Sequence, residues 1–254
     1  MHATLELADV AADVLARIKA RAPRVHCITN TVAQAYTANL LLAAGAVPSM
    51  TIAPEEIAAF VGGADALLVN LGTFDAERSE AIGLALDAVG ERKPWVLDPV
   101  FIERSPARAA FARELLRRGP AVVRLNHREF AALADEEPTG DAVARLAAAN
   151  KVVVALTGEV DRVSDGARAA TIANGDALMG LVTGMGCAGS AFVAAALAVE
   201  PDPWLATVAA LVALGVAGEV AAEAAPAPGR FASWIIDALY RLDRAALRAR
   251  TRVS

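Results

Sequence analysis

The alternation of short β-branched runs with longer amphipathic stretches constrains this chain most. Apolar runs at 25–28, 47–50, 66–70, 95–97, 121–125 and 152–156 read as strands, and segments near 32–44, 54–60, 75–89, 106–117 and 141–149 carry helical spacing between them. Strands apolar on both sides and joined through helices pair in parallel, because a parallel pair needs a long crossover and the crossovers then cover the sheet. Residues 162–164 and 168–172 break the rhythm. Asp165-Gly166 between them is a hairpin signal, so the sheet gains an antiparallel edge. Residues 1–22 read as an opening helix, and 187–199, 203–224 and 231–246 as three alanine-rich helices over the sheet. The expected class is α/β: a central, mostly parallel sheet flanked by helices on both faces, with an antiparallel edge hairpin, in one domain spanning 1–254.

Composition narrows the partners. A 254-residue chain that is 56% hydrophobic can bury a large core. Its charges are interspersed and its net charge is only -5, which provides neither a basic field for nucleic acid nor a polybasic membrane anchor. The most apolar stretch, 205–218, falls short of the ~20 residues of a membrane span. Glu6, Asp9 and Asp13 interrupt the N-terminal segment, unlike the apolar core of a secretory signal. Cys27 and Cys187 lie far apart and belong to no CxxC pair or zinc-ligand series. The expectation is a reduced, cytoplasmic protein that binds a small molecule.

Gly184-Met185-Gly186-Cys187 places a thiol behind two glycines at the start of an apolar helix. Gly184 and Gly186 allow close approach of the backbone to a ligand, and the helix N-terminus favours negative charge. A cysteine there is expected to ionise more readily than a free thiol, so Cys187 can serve as a proton acceptor beside an anion hole. An ordinary loop with Cys187 as a small packing residue is the competing reading. No lysine follows, so this is not a Walker A loop.

In an open α/β sheet, ligands collect beyond the carboxyl ends of strands. Here those ends carry Thr29 and Asn30, Asn70 to Thr73, Asp98-Pro99, Asn126 with Glu129, and Thr157-Gly158. Asp98 and Glu129 come from different strand ends, and two hard carboxylates suit Mg²⁺, which completes its shell with waters and substrate phosphates. Singly, each has a structural alternative, an Asp-Pro turn for Asp98 and a helix first turn for Glu129. Arg124 can clamp phosphate oxygens or simply face solvent. Thr157 offers a hydroxyl where a nucleotide would lie, although a β-turn uses the same residues. Met50 reads as pocket wall or core. His26, inside the first strand, reads as a satisfied histidine rather than a base.

The ordered series His26 to Asn30, Ala38-Asn39, Gly45-Ala46 with Met50, Pro54-Glu55-Glu56, Asn70 to Thr73, Asp98-Pro99-Val100, Arg124 with Asn126 and Glu129, Thr157 to Asp161 and Thr183 to Cys187 runs through nearly the whole chain. In this series the chain resembles the hydroxyethylthiazole kinases, a thiamine-salvage family of the ribokinase-like superfamily. The resemblance implies phosphorylation of 4-methyl-5-(2-hydroxyethyl)thiazole by MgATP in a homotrimer with active sites at subunit interfaces. It also implies that Met50 contacts the thiazole, Arg124, Asn126 and Thr157 the nucleotide, Gly184 the substrate and, with Gly186, the anion, Cys187 the transferring centre, and Asp98 and Glu129 the metal. Two departures stand out. The family usually reads GTGC where this chain has Met185, and its glycine-rich continuation after Asp-Pro-Val becomes Phe101 to Pro106, where Arg104 is expected to supply charge to the phosphates instead. A kinase for another small heteroaromatic alcohol and a weakly active nucleotide-binding regulator are the alternatives. A thiol hydrolase is a third, with no histidine visibly placed to activate Cys187.

Overall fold

The computed structural model describes residues 4–90 and 93–254. Residues 1–3 of the expected opening helix lie outside that range. Eight strands form one sheet: β1 (Arg24–Ile28), β2 (Val47–Ser49), β3 (Ala66–Asn70), β4 (Trp95–Asp98), β5 (Val122–Asn126), β6 (Val153–Thr157), β7 (Asp161–Ser164) and β8 (Ala169–Ile172). Their order is β2-β1-β3-β4-β5-β6-β7-β8. All pairs up to β5–β6 are parallel, and β6–β7 and β7–β8 are antiparallel. The edge hairpin turns at Asp165-Gly166 as the dipeptide predicts. Gly166 adopts φ +91, and a Cβ there would lie 2.7 Å from that of Ala148, so the turn excludes side chains.

Helices α1 (Thr4–Arg21), α2 (Gln34–Ala44), α3 (Pro54–Gly63), α4 (Ala76–Val89), α5 (Pro106–Arg117), α6 (His127–Ala134) and α7 (Gly140–Asn150) are followed by α8 (Met185–Leu197), α9 (Pro203–Ala224), α10 (Pro228–Arg241) and α11 (Arg244–Arg250). Strand alternation divides the core in two. Val25, Cys27, Ala66, Leu68 and Val96 face α1, α2 and the C-terminal helices, whereas Leu67, Val69, Trp95, Leu97 and Val123 face α3 to α7. Helix α9, 22 residues long, exceeds the apolar stretch read from the sequence; it is long and apolar enough to cross a membrane but is buried along most of its length. It packs on α1, α8 and α10.

Among the elements whose bounds differ from the sequence reading, three have an evident local cause. The last expected helix, 231–246, is two helices, because the Asp243 carboxylate accepts the Ala246 N–H at 2.8 Å and starts α11 anew. Helix α2 begins at Gln34 rather than 32, since the Asn30 side chain and carbonyl both take the Ala33 N–H and close a turn first. Helix α6 is short, eight residues. The helix read as beginning at Glu129 instead starts at His127, fixed by the Asn126-x-x-Glu129 capping box.

Candidate active site

The register of the parallel strands sets the site. Asn70 lies beside Asp98 across β3 and β4, and β1 runs alongside β3, so polar residues at or just past three strand ends share one rim. Asn70 donates from Nδ2 to Asp98 Oδ2 at 2.8 Å, and its own Oδ1 accepts from Asn30 Nδ2 at 3.1 Å. The Asn30 amide is oriented by the Ala33 N–H on its Oδ1, leaving Nδ2 to donate also to Cys187 Sγ at 3.1 Å. From α8, the Ser190 hydroxyl donates to Asp98 Oδ2 at 2.8 Å. Thiol, two amides, carboxylate and hydroxyl thus form one continuous chain. Gly72 allows it, because a Cβ there would lie 2.7 Å from that of Asn30.

Helix α8 starts from Gly184 at φ 81, a left-handed conformation that favours glycine, with Ala33 packed against it. Among the described residues, no backbone carbonyl takes the N–H groups of Gly186 and Cys187. They are the unsatisfied donors of a helix N-terminus, which suits them to an anion. Arg124 reaches across from β5 and donates from Nη1 to the Gly186 carbonyl at 2.9 Å. Its guanidinium rests against Gly189, where a Cβ would come within 3.3 Å of Nη2.

On the far side, the Glu129 carboxylate is held by two backbone donors, Asn126 N–H on Oε2 at 2.9 Å and Phe101 N–H on Oε1 at 3.0 Å. Asn126 spends its own side-chain oxygen capping α6 through the Arg128 and Glu129 N–H groups. The second bond to Glu129 fixes Phe101 at φ 56, a left-handed backbone that costs a bulky residue on the order of 1–3 kcal/mol. The Phe101 side chain is nevertheless 59% exposed. Together these groups enclose a cleft of about 590 Å³ lined by Asn30, Asp98, Phe101, Arg108, Arg124, Asn126, Glu129, Thr157, Gly184, Gly186 and Cys187, among others.

Burial governs the electrostatics. Desolvation raises the Asp98 carboxyl above its ordinary value, opposed by the Arg124 charge and by the Ser190 and Asn70 hydrogen bonds. Glu129 is raised by burial and then by the Asp98 charge. A cation beside both carboxylates would relieve the charge that Asp98 imposes on Glu129. Cys187 overturns the sequence expectation: its thiol is pushed up to about 11 by burial and by Asp98, an effect larger than the Asn70, Asn30 and Arg124 influences that favour the thiolate. At neutral pH it is a thiol.

The hydroxyethylthiazole kinase family matches residues 15–245. A hydroxyethylthiazole kinase from Rhizobium etli is 44% identical over 256 residues, covering 95% of this chain and 99% of its own length. The chain belongs to the hydroxyethylthiazole kinase family. The solved structure of a Pyrococcus horikoshii hydroxyethylthiazole kinase superposes with a TM-score of 0.93 at 39% identity, covering 97% of this chain and 98% of that one. A ribokinase-like superfamily protein from Enterococcus faecalis, 15% identical, shares the fold with a TM-score of 0.68 over 92% of this chain and 95% of its own.

Asp98, Arg124, Asn126, Glu129, Thr157, Gly184, Gly186 and Cys187, the site residues expected from this family member's sequence, line one cleft, and Met50 does not. Met50 follows β2 and packs half-buried on the core of its own chain. His26 is buried and satisfied, bonded through Nδ1 to Ser49 Oγ at 2.8 Å and through Nε2 to the Thr51 carbonyl at 3.0 Å. Met185, which stands where the family usually has a hydroxyl, turns into the core and leaves the backbone donors in place. Arg104 does not fill the role expected of it. Its side chain is 72% exposed and faces Glu103 at 3.5 Å, while Arg108, one turn on, lines the cleft. The sequence reading also missed Asn70 and Ser190 as partners of Asp98. Ser190, three residues after Cys187, shares its helix face, and that spacing was the available signal.

Proposed function

We propose that this protein transfers the γ-phosphoryl group of ATP to the primary hydroxyl of 4-methyl-5-(2-hydroxyethyl)thiazole, a step of thiamine salvage. The carrying observation is the continuous hydrogen-bond chain from Cys187 through Asn30 and Asn70 to Asp98, which ends beside the open N-terminus of α8. Incubation with ATP, Mg²⁺ and the thiazole alcohol, followed by separation of the phosphorylated product, tests it. Absence of product with this alcohol, while another heteroaromatic alcohol is phosphorylated, would reassign the substrate.

In this reading Gly184 and Gly186 present backbone donors to the transferring phosphoryl group, Gly184 also bounding the alcohol. Arg124, Asn126 and Thr157 hold the nucleotide, Asn126 through its amide Nδ2 because its oxygen is committed to the helix cap. Arg108 adds positive charge to the same wall. Asp98 and Glu129 fit Mg²⁺: both are oxygen donors, each is buried, and no group of three metal-ligating side chains competes among the described residues. When bound, the ion would neutralise phosphate charge. EDTA is then expected to abolish turnover.

Cys187, a thiol at neutral pH, orients the attacking hydroxyl through its sulfur, and the hydroxyl proton passes to a phosphoryl oxygen as the new P–O bond forms; a loose phosphoryl-transfer state asks more for positioning than for a strong base. Cys187→Ala is expected to lower kcat by about tenfold to a hundredfold, at or below the low end of the ~10²–10⁴-fold that general-base assistance contributes. Cys187→Asp, with a carboxylate facing the Asn30 donor, is expected to keep kcat above the Ala variant. A trapped adduct on Cys187, with an inactive but folded and substrate-binding Asp variant, would replace this role with covalent catalysis.

We further infer that the chain is a single domain working as a homotrimer with shared sites. One unbroken sheet supports the first part. The second is supported by Met50, which is absent from its own chain's cleft but follows the free edge strand β2, where exposed Val47 and Phe60 line an apolar groove. A neighbour docked there would receive Met50. Sedimentation as a fully active monomer would overturn the shared site. The two free thiols, Cys27 and Cys187, suit a reducing cytoplasm.

A further inference from the structure

The Phe101 side chain is the least expected feature of the cleft. It is large, apolar and 59% exposed, and it lines the same cavity as Asp98, Glu129, Gly184 and Cys187. Its backbone stands at φ 56, where glycine would fit without strain. Three bonds hold that conformation. The Phe101 N–H is committed to Glu129 Oε1 at 3.0 Å, its carbonyl accepts the Arg104 N–H at 3.1 Å, and the Ile102 N–H returns to the Pro99 carbonyl at 3.2 Å. Ile102 is buried beneath this turn, so the fold has its apolar anchor without the exposed ring. Folding therefore gives no reason for an aromatic side chain at this position. Strain retained at a binding cleft points to a task in the cleft.

That task follows from the competition every phosphotransferase faces. Water can replace the alcohol: its oxygen bonds to the γ-phosphorus, the bond to the β,γ-bridging oxygen breaks, ADP departs with that electron pair, and the water proton goes to solvent. The anion hole and the paired carboxylates serve this reaction as well as the productive one. Positioning of the alcohol favours the productive reaction, and exclusion of water suppresses the other. We propose that Phe101 is a specificity-determining residue that covers the transfer centre and keeps water from the γ-phosphoryl group, so that ATP is spent on the alcohol. The inference rests on the kinase reading above and extends it to the choice of acceptor.

The test compares wild type with Phe101→Ala and Phe101→Leu, measuring ADP and phosphorylated thiazole alcohol in the same reactions, and ADP alone without the alcohol. Wild type is expected to form the two products in equal amounts. Phe101→Ala is expected to raise alcohol-independent ADP formation about tenfold, equivalent to ~1.4 kcal/mol of lost discrimination, and Phe101→Leu to restore coupling. Thermal melts of both variants establish that they fold. Equal product amounts in a folded Phe101→Ala, whether or not its KM for ATP rises, would overturn the proposal; a raised KM with intact coupling would make the ring a nucleotide platform instead. Failure of wild type to phosphorylate the alcohol would instead overturn the kinase reading itself, so the two failures are distinguishable.

Discussion

Asp98→Asn is expected to lower kcat roughly 10²–10³-fold, the scale on which a fixed electrostatic group acts in a site closed to water, without lowering the melting temperature. Both halves come from the same geometry. Asp98 Oδ2 accepts from Asn70 and Ser190, and an asparagine oxygen can accept both bonds in the same place, so the hydrogen-bond chain survives. The charge does not. A carboxyl raised by burial favours the fold while protonated, below its unfolded pKa, and that contribution is lost as pH rises through the folded value. Wherever Asp98 is ionised, its buried charge is a net cost to the fold that asparagine removes. Paired kinetics and thermal melts check this. A variant that melts lower in step with its lost activity would make Asp98 a structural group.

Glu129→Gln is expected to behave differently, lowering both rate and stability. Each Glu129 oxygen accepts a backbone N–H, from Asn126 on one side and Phe101 on the other. Glutamine offers one oxygen and one amide nitrogen, so one of those buried N–H groups faces another donor. An unsatisfied buried donor costs about 1–3 kcal/mol, or roughly 2–12 °C in Tm for a chain of this size. Relief of the like-charge contact with Asp98 offsets part of this, yet the loop that carries Phe101 loses its anchor. The fold itself is expected to persist by circular dichroism. An unchanged Tm would show that the Phe101 and Asn126 contacts do not hold the cleft wall.

The contrast between these variants also marks what a sequence carries. Asp98, Glu129 and the strand-end polar groups were legible because strand ends in a parallel sheet must open on one rim, whatever the packing details. The thiol of Cys187 was not. Its position at a helix N-terminus favours ionisation, but burial and the charge of Asp98, 89 positions earlier, outweigh that effect, and neither is a local property. Arg104 and Arg108 pose a similar problem. The short helical turn at Ile102–Arg104 rotates one arginine outward and the next into the cleft, and nothing in the spacing of the two announces that turn. The break between α10 and α11 was legible in principle, since Asp243 is a good cap, but the apolar pattern continues across it.

Asn30 and Cys187 stand 157 positions apart, and the bond between them fixes when the site can exist during folding. Contacts of such long separation form late, after the entropy of closing the intervening loop has been overcome. On the ribosome the ends of β1, β3 and β4 emerge well before α8 does. Until Ser190 and its helix arrive, Asp98 lacks one of its hydrogen bonds and the cover of α8. Its reluctance to ionise is thus acquired near the end of assembly, and the return of activity during refolding should trail the return of helical signal.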